Sequence, residues 1–346
     1  MRTAQFLSLA GLKPASGMTG LLTGGIVPGQ DLVGVYPILA TPFRPDGPAD
    51  EDDLARLIDF IIAAKADGIV FPGIASEFET MNTDERRRLV DVVARHLARR
   101  LPLVIGVSAS DGAAAAEHAA QAEAVGAVAV MAVASPALNV DPGAIAAYYA
   151  RIATVGIPII LQNAPAPAGC ALAPDEVVAL ARGIAGIRYV KEESLPCGQR
   201  ITRLLDADVP NLVGVFGGAG GRYLTDELAR GACGTMPACE LVDLHVRQFA
   251  MHRAGDRKGV RYLYNRMLPL LNFQAVFRTA MTKEVLRRRG VISATHVRAA
   301  GPRFDAGDLV ELAALLTDVA DLVPLSPAAA GGNATEEHAQ LEGGRR

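Results

Sequence analysis

The chain has 346 residues, half of them hydrophobic, and a formal net charge of −3. That is apolar material for one large core, and α/β barrels of this size fold as single units. The balanced charge argues against a nucleic-acid or anionic-membrane partner, because both call for a basic surface.

Residues 1–30 are rich in Gly, Ser, Thr and Leu without clear periodicity. The apolar stretch Ala4 to Leu12 is short and ends at Lys13-Pro14, so the segment reads as an untargeted, poorly ordered extension. No apolar stretch is long and clean enough to span a bilayer. Residues 326–346, which open Ser-Pro-Ala-Ala-Ala-Gly-Gly and end Gly-Gly-Arg-Arg, read as a second disordered tail.

Between these ends, short apolar runs alternate with amphipathic helix patterns. The runs are Val33–Ala40, Ile69–Pro72, Leu103–Val107, Ala127–Val133, Ile157–Gln162, Ile187–Lys191, Leu212–Phe216 and Gly234–Ala238. They are continuously hydrophobic, as parallel strands buried on both faces must be. Helices are predicted over 51–66, 84–100, 112–125, 142–155, 174–183, 198–206 and 222–230. Thr83 is placed to cap the second of these, and Pro174 opens the fifth. Arg86-Arg87-Arg88 and Arg287-Arg288-Arg289 sit in helical patterns beside acidic residues and read as solvated faces. The loop after the first run is Ala40-Thr41-Pro42-Phe43-Arg44, with no dinucleotide fingerprint, which disfavours an open doubly wound sheet. The expected fold is a (β/α)8 TIM barrel over 31–240. Further helical patterns near 241–254, 256–271, 275–289 and 294–322 form a C-terminal appendage over 241–325.

Cys170, Cys197, Cys233 and Cys239 form no Cys-x-x-Cys pair and have no histidine at metal-ligand spacing. They read as reduced, mostly buried thiols of a cytoplasmic protein without a metal site.

Barrel enzymes carry their chemistry at the C-terminal ends of the strands. Lys191 ends the sixth apolar run in a chain whose other lysines are Lys13, Lys65, Lys258 and Lys283. A desolvated amine there can attack a carbonyl; the competing reading is a structural ion pair with Glu192 or Glu193. In Gly73-Ile74-Ala75-Ser76-Glu77, small residues let backbone N–H groups converge on a carboxylate, or make an ordinary βα turn. Gly217-Gly218-Ala219-Gly220-Gly221 lacks the Lys-Ser/Thr of a P-loop. It reads as a close backbone approach to substrate at Gly217 or as a flexible loop.

Three stretches in order, Ala40-Thr41-Pro42-Phe43, Gly73-Ile74-Ala75-Ser76-Glu77 running on to Arg86, and Val190-Lys191-Glu192, resemble the dihydrodipicolinate synthase / N-acetylneuraminate lyase family over about 30–325. The resemblance implies a Schiff base on Lys191, carboxylate binding around Ala75 and Ser76, and a pocket for a 2-oxo acid lined by Met236. It also implies a homotetramer or dimer. The usual catalytic tyrosine after the fifth strand is replaced by Gln162, a following arginine by Pro167, and a tyrosine pair after the fourth strand by Ala137-Leu138. A carboxamide cannot shuttle protons at neutral pH, so dihydrodipicolinate synthase activity is not expected.

Gln162-Asn163-Ala164-Pro165, Ser76-Glu77, Leu268-Pro269-Leu270-Leu271-Asn272 and Thr282-Lys283-Glu284-Val285-Leu286 are similar to the L-2-keto-3-deoxyarabonate dehydratases within that family. This points to dehydration of a 2-keto-3-deoxy sugar acid, with Lys191 and Gln162 as the catalytic pair and no added cofactor. A pyruvate-forming aldolase and a non-catalytic 2-oxo-acid-binding homologue are the alternatives. Glu193 is a candidate proton carrier if its side chain faces the site.

Overall fold

A computed structural model describes residues 31–138 and 141–325. The two tails expected over 1–30 and 326–346 lie outside the described residues. The strands are β1 (Gly34–Val35), β2 (Ile69–Val70), β3 (Leu103–Gly106), β4 (Ala129–Val133), β5 (Ile159–Asn163), β6 (Ile187–Glu192), β7 (Gly214–Gly217) and β8 (Gly234–Thr235). All pair in parallel, in the order β1-β8-β7-β6-β5-β4-β3-β2. Ile38 bridges both Val70 and Ala238 and so joins the two ends of the sheet. The expected (β/α)8 barrel is the fold.

The helices are α1 (Glu51–Ala63), α2 (Thr83–Leu97), α3 (Gly112–Ala124), α4 (Pro142–Ala153), α5 (Pro174–Gly183), α6 (Cys197–Asp206), α7 (Leu224–Ala229), α8 (Val242–Arg253), α9 (Arg257–Phe277), α10 (Thr279–Arg288) and α11 (Ala306–Thr317). Short acidic or amide side chains start several of them: Asp50, Asp111, Asp141, Asp256 and Asp305 accept from first-turn N–H groups. At α2 the cap is Asn82, not Thr83; the Asn82 carboxamide reaches the Glu85 N–H, and Thr83 is already helical.

Strand alternation sorts the core into two layers. Tyr36, Ile38, Val70, Val104, Met131, Ile160, Tyr189, Phe216 and Met236 fill the barrel lumen. Their strand neighbours, such as Ile69, Ile105, Val130, Leu161, Val190 and Val215, pack outward against the helices. A third cluster joins α8, α9, α10 and α11 through Leu244, Leu263, Met267, Leu270, Met281 and Leu312. Helix α8 serves both sides: Val242 and Phe249 face the barrel layer, and Leu244 faces the appendage.

Three sequence expectations change. The helix predicted over 294–322 shortens to Ala306–Thr317. Residues 293–299 instead lie against the barrel, where Asp53 accepts from the Ser293 N–H and hydroxyl. Further along, Lys283 donates to the His296 carbonyl and Glu77 accepts from the Ala299 N–H. Partners on the barrel and on α10 therefore replace the intrahelical ones. Strands β1, β2 and β8 are also shorter than their apolar runs, because burial outlasts ladder pairing at the seam. Finally, the arginine runs are not wholly solvated faces. Arg86 is buried and donates to the Gly106 and Ser108 carbonyls, and the side chain of the half-buried Arg289 is turned in against Asp243. Three consecutive helical residues span most of a turn, so one of each trio points inward.

Among the described residues no helix is long and apolar enough to cross a membrane.

Candidate active site

Lys191 and Gln162 are register partners on β6 and β5. They share the parity of the lumen residues Tyr189 and Ile160, so both face the barrel axis at the C-terminal end of the sheet. Lys191 is only 4% exposed. Its Nζ lies 3.2 Å from Glu193 Oε1. Glu193 is two residues beyond Lys191, and its side chain closes over the same mouth. Its Oε2 accepts from Gln162 Nε2 at 2.6 Å, and its Oε1 accepts from the Ala219 N–H at 2.9 Å. Gln162 must present its NH2 there, since an ionised carboxylate only accepts.

Burial by itself would raise the Glu193 carboxyl. The Lys191 ammonium, the Ala219 N–H and the Gln162 amide outweigh burial and hold it below the usual carboxylate range. The resting site is thus an ionised carboxylate paired with an ammonium, steadied by a carboxamide. Glu192 faces the opposite way, into the helix layer. It accepts from Asn163 Nδ2 at 2.9 Å and from the Ser194 N–H at 2.8 Å, and it pairs with Arg200. The lysine's partner is therefore Glu193. That contact is an ion pair, yet it sits at the C-terminal mouth of the barrel rather than in the helix layer.

The loop after β2 makes a 3-10 turn over Ile74–Ser76. The Ser76 hydroxyl donates to the Leu39 carbonyl at 2.5 Å and accepts from the Gly73 N–H at 2.9 Å. The Ser76 N–H donates to the Gly73 carbonyl, and Thr41 Oγ1 donates to the Ser76 carbonyl. The Ser76 N–H, expected with that of Ala75 to meet a carboxylate, is thus engaged with Gly73, and the Ser76 hydroxyl ties the loop to Leu39, while Ala75 packs against the lumen cluster. Met236 is buried in that cluster. Gly217 lies within β7; its carbonyl accepts from the Met236 N–H at 3.0 Å, and a Cβ there would run into the Glu227 carboxyl on α7. Gly218 is the glycine on the Glu193 side, where a Cβ would strike Glu193 Cγ.

The rest of that glycine-rich stretch is neither a free loop nor an open cradle. Ala219–Gly221 forms a 3-10 turn whose leading N–H is spent on Glu193. Tyr264 Oη donates to the Arg222 carbonyl at 2.5 Å, and Arg222 donates to Gln274 at 3.1 Å, which fasten the turn to α9.

A buried pair missed from sequence lies behind the β2 loop. Lys283 Nζ donates to Glu77 Oε1 at 2.6 Å, with both side chains inaccessible. Lys283 also sits 4.5 Å from the Phe43 ring centroid. Burial lowers the Lys283 amine, and Glu77 offsets part of that loss. Glu77 directly follows Ser76 and holds a left-handed backbone at φ 60°. The available signal was Lys283 itself, a lysine among the apolar residues Met281, Val285 and Leu286 of one helix.

The fold and this mouth define a parallel (β/α)8 barrel whose C-terminal face carries a buried lysine paired with a carboxylate, which a carboxamide holds in turn. The model of the Dihydrodipicolinate synthetase family matches residues 31–317, and the chain belongs to that family. The L-2-keto-3-deoxyarabonate dehydratase of Azospirillum brasilense is 28% identical over 295 residues, covering 84% of this chain and 95% of that protein. The 4-hydroxy-tetrahydrodipicolinate synthase of Methanopyrus kandleri is 31% identical over 249 residues, covering 70% of this chain and 81% of that protein. The crystal structure of dihydrodipicolinate synthase from Rhodopseudomonas palustris superposes with a TM-score of 0.77 at 26% identity, over 83% of this chain and 97% of that one.

Proposed function

We propose that this protein is a Schiff-base-forming lyase that dehydrates a 2-keto-3-deoxy sugar acid, as its Azospirillum relative is named to do for L-2-keto-3-deoxyarabonate. The observation that carries the reading is the Gln162–Glu193–Lys191 chain of contacts at the barrel mouth.

Glu193 accepts the Lys191 proton, and the freed amine adds to C2 of the 2-oxo acid. Loss of the C2 oxygen as water leaves an iminium, with the proton returned from Glu193. The iminium draws electrons from C3, whose proton is lost to give an enamine. The enamine expels the C4 hydroxyl, which takes up that proton and departs as water. Tautomerisation and hydrolysis then release the dioxo acid and restore Lys191. The iminium is the electron sink, so the scheme calls for no metal or organic cofactor. Gln162 cannot relay protons, but its amide fixes Glu193 and can orient a substrate hydroxyl. An elimination, in which the proton taken from C3 leaves with the hydroxyl, suits a site without a tyrosine relay better than an aldol condensation does. A cytoplasmic tetramer or dimer belongs to the same reading, and light scattering measures the assembly.

The test is reduction with borohydride in the presence of pyruvate, followed by peptide mapping. The expected result is a stable adduct on Lys191 that is absent from Lys191→Ala. A folded protein that gives no adduct would refute the Schiff-base reading and favour a non-catalytic homologue. With a 2-keto-3-deoxy sugar acid, a dioxo product supports the dehydratase, and free pyruvate would replace it with the aldolase.

A further inference from the structure

A second carboxyl lies one backbone thickness from Glu193. Glu227 on α7 is inaccessible to solvent, and neither of its oxygens has a hydrogen-bond partner among the described residues. It lies in the layer outside the barrel, directly against Gly217, where any Cβ would displace it. The next residue, Gly218, has Glu193 against it. The Gly217-Gly218 backbone is therefore a partition between two carboxyl groups, thin because neither residue has a side chain.

The two sides differ in their company. Glu193 has the Lys191 ammonium and two N–H donors. Glu227 faces acids from every element around it: Glu192 and Glu193 from the end of β6, Cys197 from α6 and Asp226 on its own helix. Tyr264 approaches from α9, and Asp226 is itself paired with Arg230 at 2.8 Å. An unpartnered buried carboxylate beside other carboxylates is costly, so the proton stays on Glu227 and the charge on Glu193.

We infer that Glu227 is a positioning residue, whose uncharged carboxyl behind Gly217-Gly218 leaves Glu193 with the single negative charge opposite Lys191. The inference deepens the proposed Schiff-base chemistry and rests on it for its consequence. Burial, then repulsion by Glu193 and Asp226, push the Glu227 carboxyl up to about 8. Once it ionises, a second negative charge across the partition strengthens the hold of the site on the Lys191 proton. Less free amine is then available for attack.

Two readouts test this on the full chain. Infrared difference spectra of the ligand-free protein, titrated through about 8, should show a protonated carboxyl band that disappears with rising pH and is missing in Glu227→Gln. Borohydride trapping of pyruvate should proceed at equal rates in parent and Glu227→Gln well below that pH. Above it the variant should be faster by up to about tenfold, because one negative charge fewer then faces the Lys191 side of the partition. No such band in the parent would overturn the inference, as would trapping profiles that superimpose at every pH. Should neither protein trap pyruvate, the Schiff-base reading falls, and the infrared band alone decides whether Glu227 is the uncharged acid.

Discussion

Replacing Lys283 with methionine tests whether the C-terminal helices hold the β2 loop in place. Methionine keeps most of the volume beside Phe43 but removes the ammonium. Glu77 Oε1 then loses its partner 2.6 Å away, and the carboxylate keeps only the Ala299 N–H on Oε2. The His296 carbonyl loses its donor as well. Breaking a fully buried pair from one side costs about 3–5 kcal/mol, because an uncompensated charge stays inside. Guanidinium unfolding should show that loss as a lower midpoint with an unchanged slope. Glu77→Gln in the same background removes the stranded charge and keeps the shape, so the double variant should recover at least half of the loss. Because Glu77 follows Ser76 directly, Lys283→Met should also raise KM for the 2-oxo acid more than it lowers kcat. A loss below about 1 kcal/mol, or strictly additive single and double variants, would refute the argument that this pair is a buried and coupled unit.

Gln162→Leu deletes one of the two N–H donors to Glu193, so single-turnover trapping of pyruvate should slow by about 10- to 100-fold, the equivalent of one charge-assisted hydrogen bond. An unchanged trapping rate would remove Gln162 from the site. The pH dependence of stability follows from Glu227, whose carboxyl rises from 4.5 to about 8 on burial. A carboxyl raised in the folded state binds more protons there than in the unfolded chain. Its contribution is complete below about 4.5 and is lost as pH climbs through about 8. That shift corresponds to at most about 5 kcal/mol. Denaturant midpoints measured across this range should fall less steeply in Glu227→Gln, and equal slopes in both proteins would contradict the assignment.

The sequence by itself determined the barrel and the lysine at its mouth. Strand and helix periods are local, so eight apolar runs and the helix patterns between them are legible without tertiary contacts. Lys191 could be placed because it ends one of those runs, and Gln162 because it ends the preceding one. What the residues around them do was a different matter. The direction of Glu193 follows from how the chain leaves β6 and from a turn 26 residues further on, which donates the Ala219 N–H. The Glu77–Lys283 pair spans 206 residues, and nothing local to either end announces the other. Residues 294–305 carry a helical pattern that gave way once side chains of α10 and of the barrel offered their backbone better partners. Glu227 reads as an ordinary surface acid in its own helix, and only the packing of α7 onto two glycines buries it. Periodicity fixes which residues belong to an element, whereas charge pairing and burial depend on which elements meet, and that is decided only when the barrel closes.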